Sequence, residues 1–558
     1  MKLLAQYRRL HTLVSHLGQQ PGLPALAQGM HCSERHMRNL LASMQAQGWL
    51  TWTAGRGRGH HSELNWCIAP DAVAIDHMAD LLREGDLERA FVQLNPSQRA
   101  ALSARLPGYL GADQGPGRSL RMPLFRKVHS LDPLDAFSRL EAYLVRQVFS
   151  RLTEFSVGTA SITPGLAHHW ESENQAQVWH FWLRPDLRFH DGTPLEAQDV
   201  KTTFLRLRAK SNIYQRLYAC ISKMEVGSDQ RVSFFLDAPH YLWPRCVANG
   251  NSSIVPRARP ADFARLPVGS GPFKLVRHNA YKLTFRAFKD YYRERPLLDE
   301  IDLWMLEATG PQAPGFDLQF GYNASASTAS TRLSAPLAGC TYLVCNPASS
   351  YFSTVAQRLA LADWLAPSTW LASNSPTARP ASGLLAQWQH RPATPASACP
   401  LPPGTHLRLV MSQTTELTEV VQGITARLSA GGVTVEIVSV PIQQWHHPKS
   451  SEGADLVLSR EVMYHDLHFG CFDWFSADMT LRRWMPAKRV VWLDSALKRA
   501  QAQARDAPRM KIFEDIARTL VQQALVLPLS HEVQVLEVAP DVAGARIAPY
   551  GFPALEDL

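Results

Sequence analysis

The stretch from Ser33 to Gln47 constrains this chain most, because its residue pattern predicts a short helix with one apolar and one basic face. Ser33 is a favourable N-cap, since its hydroxyl can accept a hydrogen bond from a free amide of the first turn. Apolar side chains recur at helical spacing and form a single stripe: Met37, Leu40, Leu41 and Met44. Arg35 and Asn39 point away from this stripe, and His36 and Arg38 flank it; residues of these types can contact base edges and phosphates in a major groove. Taken alone, such a helix is more commonly a solvated surface helix.

The residues around this helix favour DNA binding. Leu3–Leu17 has the apolar periodicity of a helix, and Leu23–Gly29 predicts a second, shorter one, followed by a tight turn into Ser33. A short helix, a brief turn and a basic amphipathic helix form the helix-turn-helix pattern.

A predicted hairpin follows the basic helix. Trp49–Trp52 and Ser62–Cys67 are typical of paired strands, and the glycine-rich loop between them carries Arg56 and Arg58. Arginines at such a tip can follow phosphates or enter a minor groove, although solubilising loops have a similar composition. Directly after a helix-turn-helix, the hairpin indicates the wing of a winged-helix domain.

Charge is concentrated in the same region. Residues 1–68 contain seven lysines and arginines and two glutamates, so five of the eight net positive charges of the chain lie there. Double-stranded DNA is therefore the expected partner of this segment.

The remaining composition narrows the function classes. The chain has 558 residues, enough for several domains, and its eight cysteines show no zinc-ligand spacing, so we expect neither a metal nor a cofactor. A secretory signal, a membrane-spanning run, a Walker loop, a dinucleotide-binding glycine motif and a Gly-x-Ser-x-Gly elbow are all lacking. We expect a cytoplasmic protein that is not an enzyme and has no membrane partner.

One block beyond residue 118 has a distinctive order of elements. Trp179–Leu183 alternates like a strand, Asp191-Gly192 predicts a turn, and Leu195–Arg208 predicts a helix. The segment Leu187-Arg188-Phe189-His190-Asp191-Gly192-Thr193-Pro194 resembles the signature of solute-binding proteins of the oligopeptide/dipeptide-binding class. Gly269–Leu275 and Val526–His531 resemble two further stretches of that class, in the same order.

The combination of a winged helix with such a domain resembles the SgrR family, bacterial regulators of sugar-phosphate stress. The resemblance implies an α/β fold class, with an N-terminal winged helix and a two-lobed periplasmic-binding-protein-like domain. It also implies a small-molecule solute as a partner, with a sugar phosphate as candidate, and activation of a regulatory-RNA gene together with control of the protein's own promoter. The alternative is the substrate-binding component of a peptide-type ABC transporter, which the missing export signal disfavours.

We predict three domains from these patterns. Residues 1–68 form the winged helix-turn-helix, 69–118 a helical connector with a glycine-rich joint at 108–117, and 119–558 the solute-binding domain. Within the last, lobe one spans about 119–310 plus 525–558 and lobe two about 311–524. In lobe two, 323–336 and 367–404 are predicted to be surface loops, whereas 407–412 and 433–440 are predicted to be parallel strands around a helix.

Three residues are candidates for ligand contact: Glu141, Trp445 and Asp466. Asp466 lies where peptide binders of the class carry an acidic motif ending in proline, and the missing proline argues against a peptide ligand. Trp445, like Phe472 and Trp474, could stack on a sugar or fill a core, and core packing is the commoner role of such aromatics.

Overall fold

The structure of the chain is a computed structural model. It describes residues 2–17, 21–55, 62–70, 72, 73 and 118–558, the last range without 125, 137, 157–160, 210–213, 229, 306–315, 321–329, 372–374, 376, 393, 464, 465, 549, 550, 556 and 557. The predicted arginines of the wing, Arg56 and Arg58, and most of the connector at 69–118 lie outside the described residues. Among the helices described, none combines the length and apolar character that a bilayer crossing requires.

Three helices and a two-stranded hairpin form the N-terminal part: α1 (Lys2–Leu17), α2 (Leu23–Gly29), α3 (Glu34–Ala46), β1 (Leu50–Thr53) and β2 (Glu63–Trp66). The two strands pair antiparallel, with Leu50 opposite Trp66. This order of elements confirms the three helices and the hairpin predicted from the sequence. The hydroxyl of Tyr7 lies 2.7 Å from the carbonyl oxygens of both Trp49 and Ile68, and so fixes α1 against the hairpin.

The next elements run from the predicted domain start to the middle of the chain. They are β3 (Ser119–Leu124), α4 (Arg139–Val148), β4 (Thr153–Phe155), β5 (Ile162–Pro164), β6 (Ala167–Glu173), β7 (Val178–Leu183), α5 (Ala197–Leu207), α6 (Gln215–Tyr218), β8 (Ile221–Val226), β9 (Arg231–Leu236), α7 (Trp243–Cys246), β10 (Phe273–His278), β11 (Lys282–Ala287) and β12 (Glu300–Met305). They build two four-stranded sheets, ordered β10-β11-β12-β3 and β6-β7-β9-β8.

The remaining elements form the second half. They are β13 (Leu318–Phe320), β14 (Thr331–Pro336), β15 (Gly339–Cys345), α8 (Val355–Trp364), β16 (Ala378–Pro380), β17 (His406–Ser412), α9 (Thr418–Ala430), β18 (Thr434–Val440), α10 (Ile442–Trp445), β19 (Leu456–Val462), α11 (Leu467–Ala477), α12 (Met479–Arg483), α13 (Ala487–Gln501), α14 (Asp506–Gln522) and β20 (Leu527–Val538). Most of the strands join one large sheet, in the order β13-β20-β15-β19-β17-β18. The predicted parallel pair is confirmed, because Leu409 of β17 lies opposite Ile437 of β18.

The predicted loop at 323–336 is wrong in its last part. Thr331–Pro336 is a strand that pairs antiparallel with β20, with Leu333 opposite Leu536. The segment is rich in small and polar residues, which predict a loop. Pairing with a distant strand supplies the backbone hydrogen bonds that overrule this local preference.

Strand β20 links two hydrophobic cores. Leu527 and Leu529 pack in a core with β15, β17 and β19. Leu536 and Val538, at the other end of the strand, pack in a core with α4 and the sheet that contains β3. β14 leads into β15 alongside it, so adjacent stretches of the chain run between the two cores.

The two signature segments contact each other. His190 accepts a hydrogen bond at Nδ1 from the amide of Gly269 (3.3 Å), and its Nε2 donates to the carbonyl of Gly271 (3.0 Å). Both ring nitrogens are therefore occupied by backbone groups, and the neutral imidazole fits this site. The histidine of the signature has a structural role, since it joins the turn before α5 to the loop before β10.

Candidate DNA-binding face and solute cleft

The basic side of α3 is open to solvent, as the sequence predicts. Ser33 caps the helix, because its Oγ accepts a hydrogen bond from the amide of His36 at 3.2 Å. The apolar stripe is buried, and Met37 and Met44 are fully covered. The side chains of the predicted reading face are exposed: Arg35, His36, Arg38 and Asn39.

One contact on this face restrains a candidate residue. The guanidinium of Arg38 lies 3.7 Å from the carboxylate of Glu34, one helical turn away, and both side chains are at least half exposed. An exposed pair of this kind contributes little stability, so Arg38 can leave it for a phosphate at small cost. No described side chain forms a hydrogen bond or ion pair with Arg35 or Asn39.

A second candidate site is a cleft of about 280 Å³ among the C-terminal elements. One wall comes from the region around α4 and the other from the ends of β17 and β19 and from α11. Three arginines line the cleft, namely Arg126, Arg139 and Arg460, together with four carboxylates: Glu416, Glu461, Asp473 and Asp478. These residues are far apart in the sequence, and only the fold brings them together.

Two of the three arginines have carboxylate partners. Arg126 binds Glu141 with both terminal nitrogens, at 2.8 and 2.6 Å. Arg460 binds Glu416 at 3.1 Å and also forms a two-point contact with Glu532. Although burial alone would raise it, Arg460, Arg139 and Arg126 together lower the pKa of Glu416 to about 2.

Arg139 is different, because much of its guanidinium has no partner. Its Nη2 lies 3.5 Å from Gln534, a long contact, and the group sits over the ring of Phe552 at 5.4 Å. Its Nε and Nη1 are buried and have no hydrogen-bond partner among the described residues. A ligand acceptor could satisfy these two donors, whereas leaving them unpaired costs stability.

The other end of the cleft is acidic. Asp478 accepts hydrogen bonds from the Tyr342 hydroxyl and from Trp474 Nε1, the latter at 3.1 Å. Burial, followed by repulsion from Asp478, raises the pKa of Asp473 to about 7. Burial also raises the pKa of Glu461 well above its usual value, with Asp478 and Asp473 as further causes.

The three predicted ligand residues have different positions. Trp445 lines the cleft and is 7% exposed in a small core with Val410 and Val457, so it has the core role, and its contact with a ligand stays a prediction. Glu141 does not line the cleft. It is buried behind Arg126, whose guanidinium faces the cleft instead.

Asp466 is also not among the cleft residues. It is 1% exposed, pairs with Arg245 at 2.9 Å and caps α11 by accepting from the amide of Phe469 at 2.8 Å. Both carboxylate oxygens therefore have protein partners. The position of Asp466 in the chain suggested a ligand-binding residue, whereas the structure shows a helix cap. No pattern in the sequence assigns five further residues to the cleft: Arg126, Arg139, Arg460, Glu461 and Asp473. Only the Arg460-Glu461 pair, at the end of an apolar strand, carries a local signal.

The fold and the cleft together define a class of protein, a helix-turn-helix segment joined to a solute-binding-protein fold. The family described as "Sugar transport-related sRNA regulator N-term" matches residues 2–116, and "Bacterial extracellular solute-binding proteins, family 5 Middle" matches 161–363. The HTH-type transcriptional regulator SgrR of Yersinia pestis (strain Pestoides F) is 30% identical over 483 residues, 84% of each chain. The SgrR of Salmonella typhi is 29% identical and covers 99% of this chain and 97% of its own. This chain belongs to the SgrR family of transcriptional regulators.

Solved structures resemble the C-terminal part of the fold. The binding protein AgaA from A. tumefacien R10, in complex with agropinic acid, has a TM-score of 0.65 at 20% identity and covers 76% of this chain and 94% of its own. A dipeptide binding protein from Pseudoalteromonas sp. SM9913, in complex with Met-Leu, has a TM-score of 0.67 at 16% identity, with 79% and 99% covered. These similarities confirm the two-lobed solute-binding fold, and family membership favours the regulator over the transport component.

Proposed function

We propose that this chain is a solute-responsive transcription regulator that acts in the cytoplasm, where α3 reads double-stranded DNA and the cleft binds a small solute. The observation that supports solute binding is the cleft itself. It brings three guanidiniums together from distant parts of the chain, and that of Arg139 keeps two buried donors without a partner among the described residues. Its volume of about 280 Å³ lies at the small end of ligand sites, which suits a monosaccharide derivative better than a long peptide.

A sugar phosphate is the candidate solute. Arginine is the preferred side chain for phosphate, because its planar fork donates two parallel hydrogen bonds. The family description, which names regulation of a sugar-transport-related small RNA, supports the same direction. We further propose that the targets are the promoters of such an RNA and of the protein's own gene.

The proposed DNA binding is based on the exposed basic side of α3. Arg35, Arg38 and Asn39 are exposed, and the proposal assigns base edges to Arg35 and Asn39 and a phosphate to Arg38. Arg56 and Arg58 belong to the same proposal from their sequence alone. Replacing both by alanine should weaken binding to every DNA sequence and flatten the salt dependence by about one unit for each phosphate that is no longer neutralised.

The test of the solute half is a thermal-shift titration of the full chain with glucose 6-phosphate. A ligand at about 100 times its dissociation constant should add about 2.7 kcal/mol to the free energy of unfolding. Arg139→Gln should remove this shift, whereas Arg499→Gln, at an exposed position on α13, should keep it. A shift that survives Arg139→Gln would place the phosphate elsewhere.

A further inference from the structure

Charge in the cleft is unbalanced in a way that an anionic ligand alone does not explain. Arg126 is matched by Glu141, and Arg460 by Glu532 and Glu416, so only Arg139 is left as an uncompensated cation among the described cleft residues. Three further carboxylates line the same space, on Glu461, Asp473 and Asp478. The cleft therefore has an acidic excess, and a doubly negative ligand would add to it.

Among the described residues, no cation forms an ion pair at the acidic end of the cleft. Neither Glu461 nor Asp473 forms a hydrogen bond or an ion pair with any side chain that the structure describes. The carboxylate oxygens of Asp478 accept hydrogen bonds from Tyr342, from Trp474 and from the start of α12. These bonds hold Asp478 next to the other two carboxylates. Burying like charges together is unfavourable unless a cation or protons compensate them. No group of three or more His, Cys, Asp and Glu side chains with metal-binding geometry occurs in the described part of the chain.

Two other polar groups in the cleft also have no hydrogen-bond partner among the described residues. Asn251 is 6% exposed and lines the cleft, where its Oδ1 accepts from Tyr218 while its Nδ2 has no partner among the described residues. The Oγ1 of Thr414, on the opposite wall, is likewise buried and unpaired in the described chain. A ligand that carries several polar groups would satisfy these atoms, as buried polar groups in proteins normally require.

The two charged ends belong to the same cleft of about 280 Å³, which Arg139, Glu461 and Asp473 all line. Burial and the neighbouring aspartates raise the pKa of Glu461, and the positive charge of Arg139 acts in the opposite direction. One small molecule can therefore contact both ends.

We infer that the cleft binds a small zwitterionic solute, with an ammonium group at Glu461 and Asp473 and an anionic group at Arg139. An amino sugar phosphate has this chemistry. The inference rests on the proposed solute function and specifies its ligand class. The ammonium supplies the missing cation at the acidic end, donates to two carboxylates, and so converts mutual repulsion into charge-assisted hydrogen bonds.

Three probes separate the two charged groups. Glucosamine 6-phosphate carries both, glucose 6-phosphate lacks the amine, and glucosamine lacks the phosphate. Isothermal titration of the full chain should give glucosamine 6-phosphate the highest affinity, about tenfold or more above either of the other two, because each charged contact contributes about one such factor.

Substitutions at the two ends of the cleft test which residues bind the amine and which bind the phosphate. Glu461→Gln and Asp473→Asn should each remove most of the preference for the amine and leave glucose 6-phosphate binding unchanged or improved. Arg139→Gln should weaken both phosphates and spare glucosamine. Glu436→Gln, at an exposed position on β18, is the matched control and should behave as wild type. Without ligand, Glu461→Gln should melt at or above the wild-type temperature, which shows that the variant folds.

Each remaining outcome counts against the inference. Equal affinity for the two phosphates, unchanged in Glu461→Gln, overturns the ammonium site and leaves the sugar-phosphate sensor standing. Glucosamine binding as tightly as its phosphate overturns the anionic end. If none of the three probes binds at millimolar concentration, the inference and the proposed sugar-phosphate sensor both fail.

Discussion

Arg35 and Asn39 extend from the exposed side of α3, and their neighbours Met37 and Leu40 are buried beneath them. The buried residues fix the rotation of the helix, so the two polar side chains must point outward. Residue type then decides the chemistry, because arginine matches guanine and asparagine matches adenine in the major groove.

Replacing Arg35 or Asn39 by alanine should cost roughly 1–3 kcal/mol of binding free energy at the cognate operator and relax the base preference there. Fluorescence anisotropy with operator and scrambled duplexes measures both effects. Ser43→Ala, on the exposed side near the other end of the helix, is the control. Unchanged operator affinity in both variants would remove α3 from the reading role.

His190 makes the stability of the protein depend on pH. Burial lowers its pKa to about 4 from the usual 6.5. Because the folded state disfavours the charged imidazole, the contribution is complete above pH 6.5 and is lost as the pH falls towards 4. The shift corresponds to about 3 kcal/mol of unfolding free energy.

Chemical denaturation at a series of pH values tests this dependence. His190→Gln should be less stable than wild type at pH 7.5 and should lose less stability between pH 6.5 and 4, since glutamine does not titrate. His169→Gln, at an exposed position on β6, should follow the wild-type curve. A wild-type curve that is flat over this range would refute a buried neutral histidine.

The loop before β10 shows how one element depends on another. A Cβ at Gly269 would overlap the carbonyl oxygen of Val148, and one at Gly271 would lie 2.6 Å from that of Gln147. The glycines are thus required by close packing on the end of α4, the helix that begins with Arg139. The same loop receives His190, so the two signature segments hold one wall of the cleft in place.

Gly269→Ala should destabilise the protein by at least about 1–3 kcal/mol, because a backbone carbonyl cannot move aside as a flexible side chain can. Differential scanning fluorimetry measures the loss, and solute affinity should fall with it, since α4 carries Arg139. Gly250→Ala is the matched control for the melting temperature, because its nearest neighbour would lie at 3.8 Å. Equal melting temperatures for the two variants would show that the loop relaxes freely.

In the whole molecule, β20 and the adjoining β14–β15 segment connect the cores on either side of the cleft. A solute that binds one arrangement of these cores better than another shifts the population towards it. The predicted joint at 108–117 contains four glycines and lies outside the described residues. A glycine-rich joint is poorly suited to transmit a rigid push, so communication should require direct contact between the DNA-binding part and the solute domain.

Linkage gives a test of this communication. If solute changes operator affinity, operator DNA must change solute affinity by the same factor, typically about 5–150-fold. Titrating glucosamine 6-phosphate into the full chain with and without operator duplex measures the factor. A scrambled duplex is the control. Identical solute affinities in all three titrations would mean that the two parts are only tethered.

The sequence alone determined the features that repeat over short distances. Helical spacing of Met37, Leu40, Leu41 and Met44 fixed α3 and its exposed face, and alternation with turn residues located β7 and α5. Family signatures added the two-lobed fold. These patterns are local, so neighbouring residues suffice to predict them.

Only the tertiary structure decided which residues form the cleft. Arg139, Thr414 and Glu461 come from segments with no common periodicity, and they meet because β20 and β15 bring distant strands together. Pairing with β20 turned residues 331–336 into a strand, and the ion pair with the distant Arg245 engages the carboxylate of Asp466, which the sequence offered as a ligand candidate. Burial and charge pairing depend on neighbours in space, and for these residues the neighbours in space are not neighbours in sequence.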